Sequence, residues 1–332
     1  MATSDTQSDE MLSSDQTEES GADESERAVE SRVGWRYTLT QVRSDPTALA
    51  GLFIIGFMTA VAVFAYVDAK LLDYWFASTF WVNPATDPVT VEALLPPVGV
   101  ENGLGTGTWE HPLGTDNRGR DILARLFYGT RIAIQVGFIA TAFGLFGGVI
   151  VGAVAGYYGG WVDDVLMRGV ETLYAIPFLI LVITFMSVFG RDLLFAMIGV
   201  GIGSIPVFAR LIRSRVLSVR EEDYVEAARA AGVRDRNIIF RHVVPNSFAP
   251  VLVQATLQVG VSIIIVAGLS FLGFGVQPPT PSWGQMLAQS RNYMLQSIWF
   301  SLWPGLAILI TVVGFNLFGD GLRDALDPRL NN

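Results

Sequence analysis

The sequence contains no cysteine, and its only histidines are His111 and His242. Disulfides, thiolate metal sites and cysteine nucleophiles are therefore excluded, and a multi-histidine metal centre lacks ligands. Charge is also scarce: 16 % of the 332 residues are acidic or basic, against roughly a quarter in a soluble domain. Lysine is almost missing, with Lys70 alone among arginines. A phosphate-binding loop needs Gly-x-x-x-x-Gly-Lys-[Ser/Thr], but Lys70 sits in "VDAKLLD" without such glycines. The chain is thus not expected to be an ATPase of that kind. It also lacks a Gly-x-Ser-x-Gly elbow and a His-Glu-x-x-His helix, so no catalytic residue, metal ligand or cofactor of its own is expected.

What the sequence has instead is apolar. Hydrophobic residues make up 51 % of it, and the mean hydropathy is +0.43. Six runs approach the ~20 residues that cross a bilayer: Pro46 to Val67, Ile132 to Tyr157, Val170 to Val188, Leu193 to Leu211, Ala249 to Leu272 and Ile298 to Phe318. The expectation is an all-α integral membrane protein with six transmembrane helices. The net charge of −9 resides in the first thirty residues, an acidic Ser/Thr-rich tail that reads as disordered and not as a secretory signal. Counting basic residues in the remaining loops puts the arginine-rich segments, and both termini, on the cytoplasmic side. The arginines between Arg118 and Arg131 form a local exception.

The spans carry few ionisable groups, which argues against an ion-coupled carrier. Small residues mark close helix packing instead: Gly148, Gly152 and Gly156 form a Gly-x-x-x-Gly-x-x-x-Gly ridge suited to a neighbour in the same chain, or less readily to a second subunit. Pro177, Pro206 and Pro304 are expected kinks.

One long polar stretch interrupts the second half: "EDYVEAARAAGVRDRNIIFRHVVPN", Glu222 to Asn246. Ser218 and Glu221 read as a capping box opening a helix at Val219, which Gly232 closes in a left-handed cap. Tyr224, Ala227, Ala228 and Ala231 share one face of it, a surface that admits another backbone closely. Glu226, Arg220 and Arg229 form a charged rim. A second short helix is expected from Arg236, capped by Asp235 and stopped by Pro245. Two helices around a glycine turn also suit a DNA-binding helix-turn-helix. Between Arg210 and Arg241 eight arginines face five acids, most of the acids on the first helix, so the region is poorly suited to tracking phosphates.

The order Glu226-Ala227-Ala228, Gly232, then His242-Val243-Val244-Pro245 resembles the EAA loop of ABC importer permeases. His242 and Val244 depart from the usual Ile-x-Leu-Pro ending. "HPLGTDNRGRDILARLFYG" (His111 to Gly129), "LSFLGFGVQPPTPSWGQML" (Leu269 to Leu287) and "GDGLRDALDPR" (Gly319 to Arg329) are similar to the C-type subunits of the dipeptide/oligopeptide/nickel branch.

This resemblance implies a type I ABC importer permease fold. It comprises a tail (1–33), a first span with an external segment (34–131) and a five-span core (132–329) whose coupling loop covers 218–245. It implies a second permease subunit, two ABC ATPases that bind the ATP and Mg, an extracytoplasmic substrate-binding protein, and no nucleic acid. The cargo would be dipeptides or oligopeptides, alternatively nickel or another small solute; a membrane-anchored nucleic-acid-binding regulator is the remaining rival. Tyr224, Glu226, Ala227, Ala228, Gly232 and Pro245 would couple to the ATPase. Gln135, Gln254, Gln258 and Asn316 would line the pathway or merely bridge helices. His111, Asp116, Arg120, Gln277 and Trp283 would meet the binding protein, with His111 a loop-surface or capping residue and not a metal ligand. His242 is expected to favour the terminal carbonyls of a helix.

Overall fold

The computed structural model describes residues 35–80 and 93–326, so the acidic tail and the last six residues lie outside the described part. Helix α1 (Trp35–Ser44) precedes α2 (Pro46–Leu71), which Asp45 caps by accepting the Thr47 N–H at 2.9 Å. A short helix α3 (Trp75–Phe80) follows. The segment between α3 and the next long helix contains a hairpin, β1 (Glu101–Asn102) against β2 (Gly105–Thr106). It leads into α4 (Ile122–Tyr158), at 37 residues the longest helix described and about 55 Å from end to end. Helices α5 (Gly160–Ala175), α6 (Phe178–Phe189) and α7 (Leu193–Val219) come next.

The polar stretch then supplies α8 (Asp223–Ala230), α9 (Asp235–Ile238), a π-helical turn (Ile239–Val243) and α10 (Val244–Ser247). Helix α11 (Ala249–Phe271) follows, α12 (Trp283–Ser290) lies between it and α13, and α13 (Trp299–Leu326) closes the bundle.

Five helices (α2, α4, α7, α11 and α13) are long and apolar enough to span a membrane, matching five of the six expected runs. The third run differs. Instead of one helix over Val170 to Val188, α5 and α6 meet at a 91° bend around Ile176 and Pro177. Proline cannot donate to the preceding turn and disfavours helix at the residue before it, and Ile176 is indeed extended (φ −77°, ψ 126°). Alone, the 12 residues of α6 reach about 18 Å, short of a ~30 Å hydrocarbon layer. Pro206 and Pro304, also expected as kinks, sit inside uninterrupted helices.

The core is built around the contact of α4 with α7. A Cβ added at Gly148 would lie 2.4 Å from the Phe208 Cβ, one at Gly152 2.2 Å from the Ala209 carbonyl oxygen, and one at Gly156 2.9 Å from Val216. The glycine ridge therefore packs within the chain. On the other side α2 approaches α13 as closely: a Cβ at Gly51 would sit 2.5 Å from the Phe318 nitrogen.

Replacing Gly152 with Leu forces these backbones apart, at a cost of about 1–3 kcal/mol, whereas Gly56→Ala meets nothing within 4 Å. Thermal unfolding of the purified variants in detergent should show a lowered midpoint for Gly152→Leu and none for Gly56→Ala. Equal midpoints would contradict the packing described.

Candidate coupling loop and external clamp

The polar stretch after α7 is anchored before it is exposed. Val225 on α8 is fully buried and joins Ile238, Ile239 and Val243 in one core with Tyr157 of α4 and with Phe208, Ile212 and Val216 of α7. Fixing this valine turns the opposite face of α8 outward: Tyr224, Glu226, Ala227 and Ala231 are exposed, whereas Ala228 is half-buried and packs on the core. The expected small-residue face is thus present as Ala227 and Ala231, with Ala228 drawn off it. Gly232 ends the turn at φ +76°, a left-handed conformation that L side chains rarely adopt.

Two local expectations are corrected. Ser218 opens no helix, because α7 continues to Val219; its carbonyl accepts the Glu221 N–H in a turn, and α8 starts at Asp223 instead. Pro245 does not stop the second helix. It occupies the first turn of α10, and the chain stays helical from Asp235 to Ser247. The widened π turn accommodates it: the Val244 N–H bonds to the Ile239 carbonyl, five residues back, so the register lost at the proline is relieved. His242 consequently lies within a helical path and not at its end, its carbonyl accepting the Asn246 Nδ2–H at 2.6 Å.

The loop is tied to the bundle by polar contacts that sequence reasoning missed. The Tyr157 hydroxyl donates to Asp235 Oδ1 at 2.7 Å, and the Arg229 guanidinium lies 5.6 Å from the Tyr157 ring centroid. That hydroxyl holds the Arg229 guanidinium above its ordinary pKa. Arg220, where α7 gives way to the loop, donates to the Gly156 carbonyl at 2.8 Å; within the bundle, Arg213 of α7 forms a two-pronged pair with Asp163 of α5, one contact at 2.6 Å. Of the expected rim charges, Glu226 and Arg229 are both exposed, although Arg229 reaches the Tyr157 ring, while the half-buried Arg220 turns to the bundle.

At the end of α4 remote from the loop a second cluster joins the flanking segments to that helix. Asp116, fully buried, accepts the Arg120 Nε–H at 2.7 Å and lies 3.5 Å from the Arg125 Nε. Arg120 donates to Gln289 Oε1 at 3.1 Å and Arg125 to Gln285 Oε1 at 3.2 Å, both on α12. Asp121 caps α4 through the Ala124 N–H at 2.7 Å and pairs with His111 Nδ1 at 2.9 Å. Burial raises the Asp121 carboxyl above its ordinary pKa, opposed by these two partners. Trp283 donates Nε1–H to the Leu126 carbonyl at 3.0 Å. His111, Asp116, Arg120 and Trp283 are all at most 3 % exposed, so in this conformation they clamp the loops to the bundle and present no face to a docking protein. His111 is correspondingly no surface residue. Gln277 is exposed.

The four expected pathway residues divide. Gln258 is buried and donates to Ser204 Oγ at 3.0 Å, a bridge between α11 and α7. Gln135 and Asn316 are exposed, and Gln254 is half-buried. Among the described residues no group of three or more His, Cys, Asp and Glu is placed to hold a metal.

Residues 148–332 match the family described as binding-protein-dependent transport system inner membrane component. The chain is 41 % identical over 298 residues to the dipeptide transport system permease protein DppC of Alkalihalophilus pseudofirmus, covering 90 % of this chain and 91 % of that protein. It is 41 % identical over 239 residues to the di/tripeptide transport system permease protein DppC of Pseudomonas aeruginosa, covering 72 % and 78 %. With the glutathione transport system permease protein GsiD of Escherichia coli it shares 36 % identity over 299 residues, 90 % and 92 % of the two chains. A solved structure of the MetNI methionine ABC transporter in an inward-facing conformation superposes with a TM-score of 0.52 at 20 % identity, over 61 % of this chain and 97 % of that one, a likeness of fold.

The outer clamp generates a stability test. Asp116→Ala leaves Arg120 and Arg125 buried without their carboxylate, which should cost about 3–5 kcal/mol. Limited proteolysis in detergent should then cut the 93–121 segment, intact in the unaltered protein. Unchanged resistance would show that the carboxylate does not hold the segment.

Proposed function

The chain belongs to the binding-protein-dependent transport system inner membrane components, the permeases of ABC importers, and on that premise we propose that its cargo is dipeptides and oligopeptides. The observation carrying this reading is the 41 % identity to a dipeptide permease along 90 % of the chain. The peptide and glutathione names of the relatives described favour peptides over nickel. A nucleic-acid role has less support, since both loop helices are held to the bundle through Val225 and Ile238.

The fold is that of a type I importer permease, and such permeases work with ATPase and substrate-binding partners. In the arrangement proposed here, this chain pairs with a second permease, two ATPases bind ATP and Mg, and both termini face the cytoplasm. The chain itself performs no chemistry. Tyr224, Glu226, Ala227 and Gly232 form the face that meets an ATPase, with Ala228 and Pro245 shaping it from behind. That assignment rests on the exposure of Ala227 and Ala231 beside a buried anchor: two methyl groups leave room for a partner's surface to close on the backbone. When the ATPases close on ATP, α8 is pulled with them and the bundle tilts, exchanging an inward for an outward opening. The binding protein would meet the exposed part of the external segments, Gln277 included. Gln135, Gln254 and Asn316 remain the proposed polar liners of the pathway.

Ala227→Arg places a long cation on the proposed contact face without touching the core. The variant should insert normally, fail to co-purify the ATPases and lose at least ~90 % of peptide uptake, as expected when a contact worth ~1.4 kcal/mol or more is removed. Uptake at the unaltered rate would remove the coupling assignment.

A further inference from the structure

Tyr157 stands at the last turn of α4, directly beneath the glycine turn that joins α8 to α9. Its hydroxyl donates to Asp235, the first residue of α9, and its ring carries the Arg229 guanidinium from the last turn of α8. One side chain thus holds both arms of the loop, on either side of Gly232. The ring itself is buried in the core that contains Val225, Ile238 and Val243. No comparable set of polar contacts ties the exposed face of α8 to a helix distant in the chain among the described residues.

The far end of the same helix is equally fixed. Asp121 caps it, and Arg125, one turn further in, is completely buried and bonded to Gln285 of α12. A continuous helix of 37 residues therefore runs from a cytoplasmic latch to the external clamp, and no proline interrupts it. An unbroken helix transmits a displacement along its axis without a hinge to absorb it.

From this geometry we infer that Tyr157 is the positioning residue through which movement of the cytoplasmic loop reaches α4 and, along it, the external segments. The hydroxyl–carboxylate bond to Asp235 makes the loop and α4 move as one piece. This inference rests on the coupling reading of α8 given above.

The test uses the reconstituted importer with its ATPases and binding protein. Tyr157→Phe keeps the ring and removes only the hydroxyl. It should leave assembly and basal ATP hydrolysis unchanged while transport, and the stimulation of hydrolysis by loaded binding protein, fall about tenfold, the scale of one hydrogen bond to a charged group. Asp235→Ala should act alike, and the double variant should be no worse than either alone, because both remove the same bond. Transport by Tyr157→Phe at the unaltered rate, or losses that multiply in the double variant, would overturn the inference.

A second measurement exploits the absence of cysteine from the chain. In a Tyr157→Cys/Asp235→Cys variant, a short bis-methanethiosulfonate reagent restores a covalent link where the hydrogen bond was. Transport should be low before linking and recover after it. Linking that abolishes residual transport would mean that the two elements slide past each other, and the inference would fail. Ala227→Arg separates the two readings: ATPases lost there with Tyr157→Phe normal would sink the latch alone, whereas ATPases retained there would sink the coupling face.

Discussion

The close approach of α4 to α7 is the constraint on which the rest of this structure depends. Inside a membrane there is little hydrophobic gain in pressing two apolar helices together, so the contact relies on fit. Three glycines spaced four residues apart remove the side chains that would hold the backbones apart, and Phe208, Ala209 and Val216 fill the space left. This contact sets the inner ends of both helices side by side. Only then is there a floor of Tyr157, Ile212 and Val216 on which Val225, Ile238 and Val243 of the loop are buried. The polar loop thus keeps a defined shape although most of its surface is exposed.

The two ends of the molecule solve a similar problem with different chemistry. At the inner end, apolar burial fixes the loop and a few charged contacts orient it. At the outer end, a buried group of Asp116, Arg120, Arg125, Gln285 and Gln289 joins segments far apart in sequence. Buried charge of this kind is costly unless every member is paired, and for that reason it specifies one arrangement more than it stabilises it. Between the two ends, α4 is a single uninterrupted element, which makes it the natural carrier of any movement from one face of the membrane to the other.

Much of this was legible in the sequence. Five apolar runs became five long helices because length and hydropathy alone decide which segments can cross a bilayer. The glycine ridge and the left-handed turn at Gly232 were also visible, each being a local requirement of backbone geometry. Long-range pairing was not. Nothing near Asp116 announces Gln285 or Gln289, and a lone valine among alanines gives no sign that Val225, and not the alanine stripe, is the buried face. In the third run Pro177 marked the break, and α5 and α6 together are still apolar enough for a sixth, broken span, but a proline alone does not announce a 91° bend. Pro245 misled for a subtler reason: a π turn absorbs a proline that would end an α-helix.

The claim that loop and bundle move as one piece is most directly tested by a distance. Spin labels on cysteines placed at the exposed positions Arg236, in the loop but off the proposed contact face, and Arg118 report the separation between the loop and the far end of α4. Measured by pulsed electron resonance in the assembled importer, that distance should be the same without nucleotide and with ATP trapped. A shift larger than the width of the distribution would show that the loop moves on the bundle instead of with it.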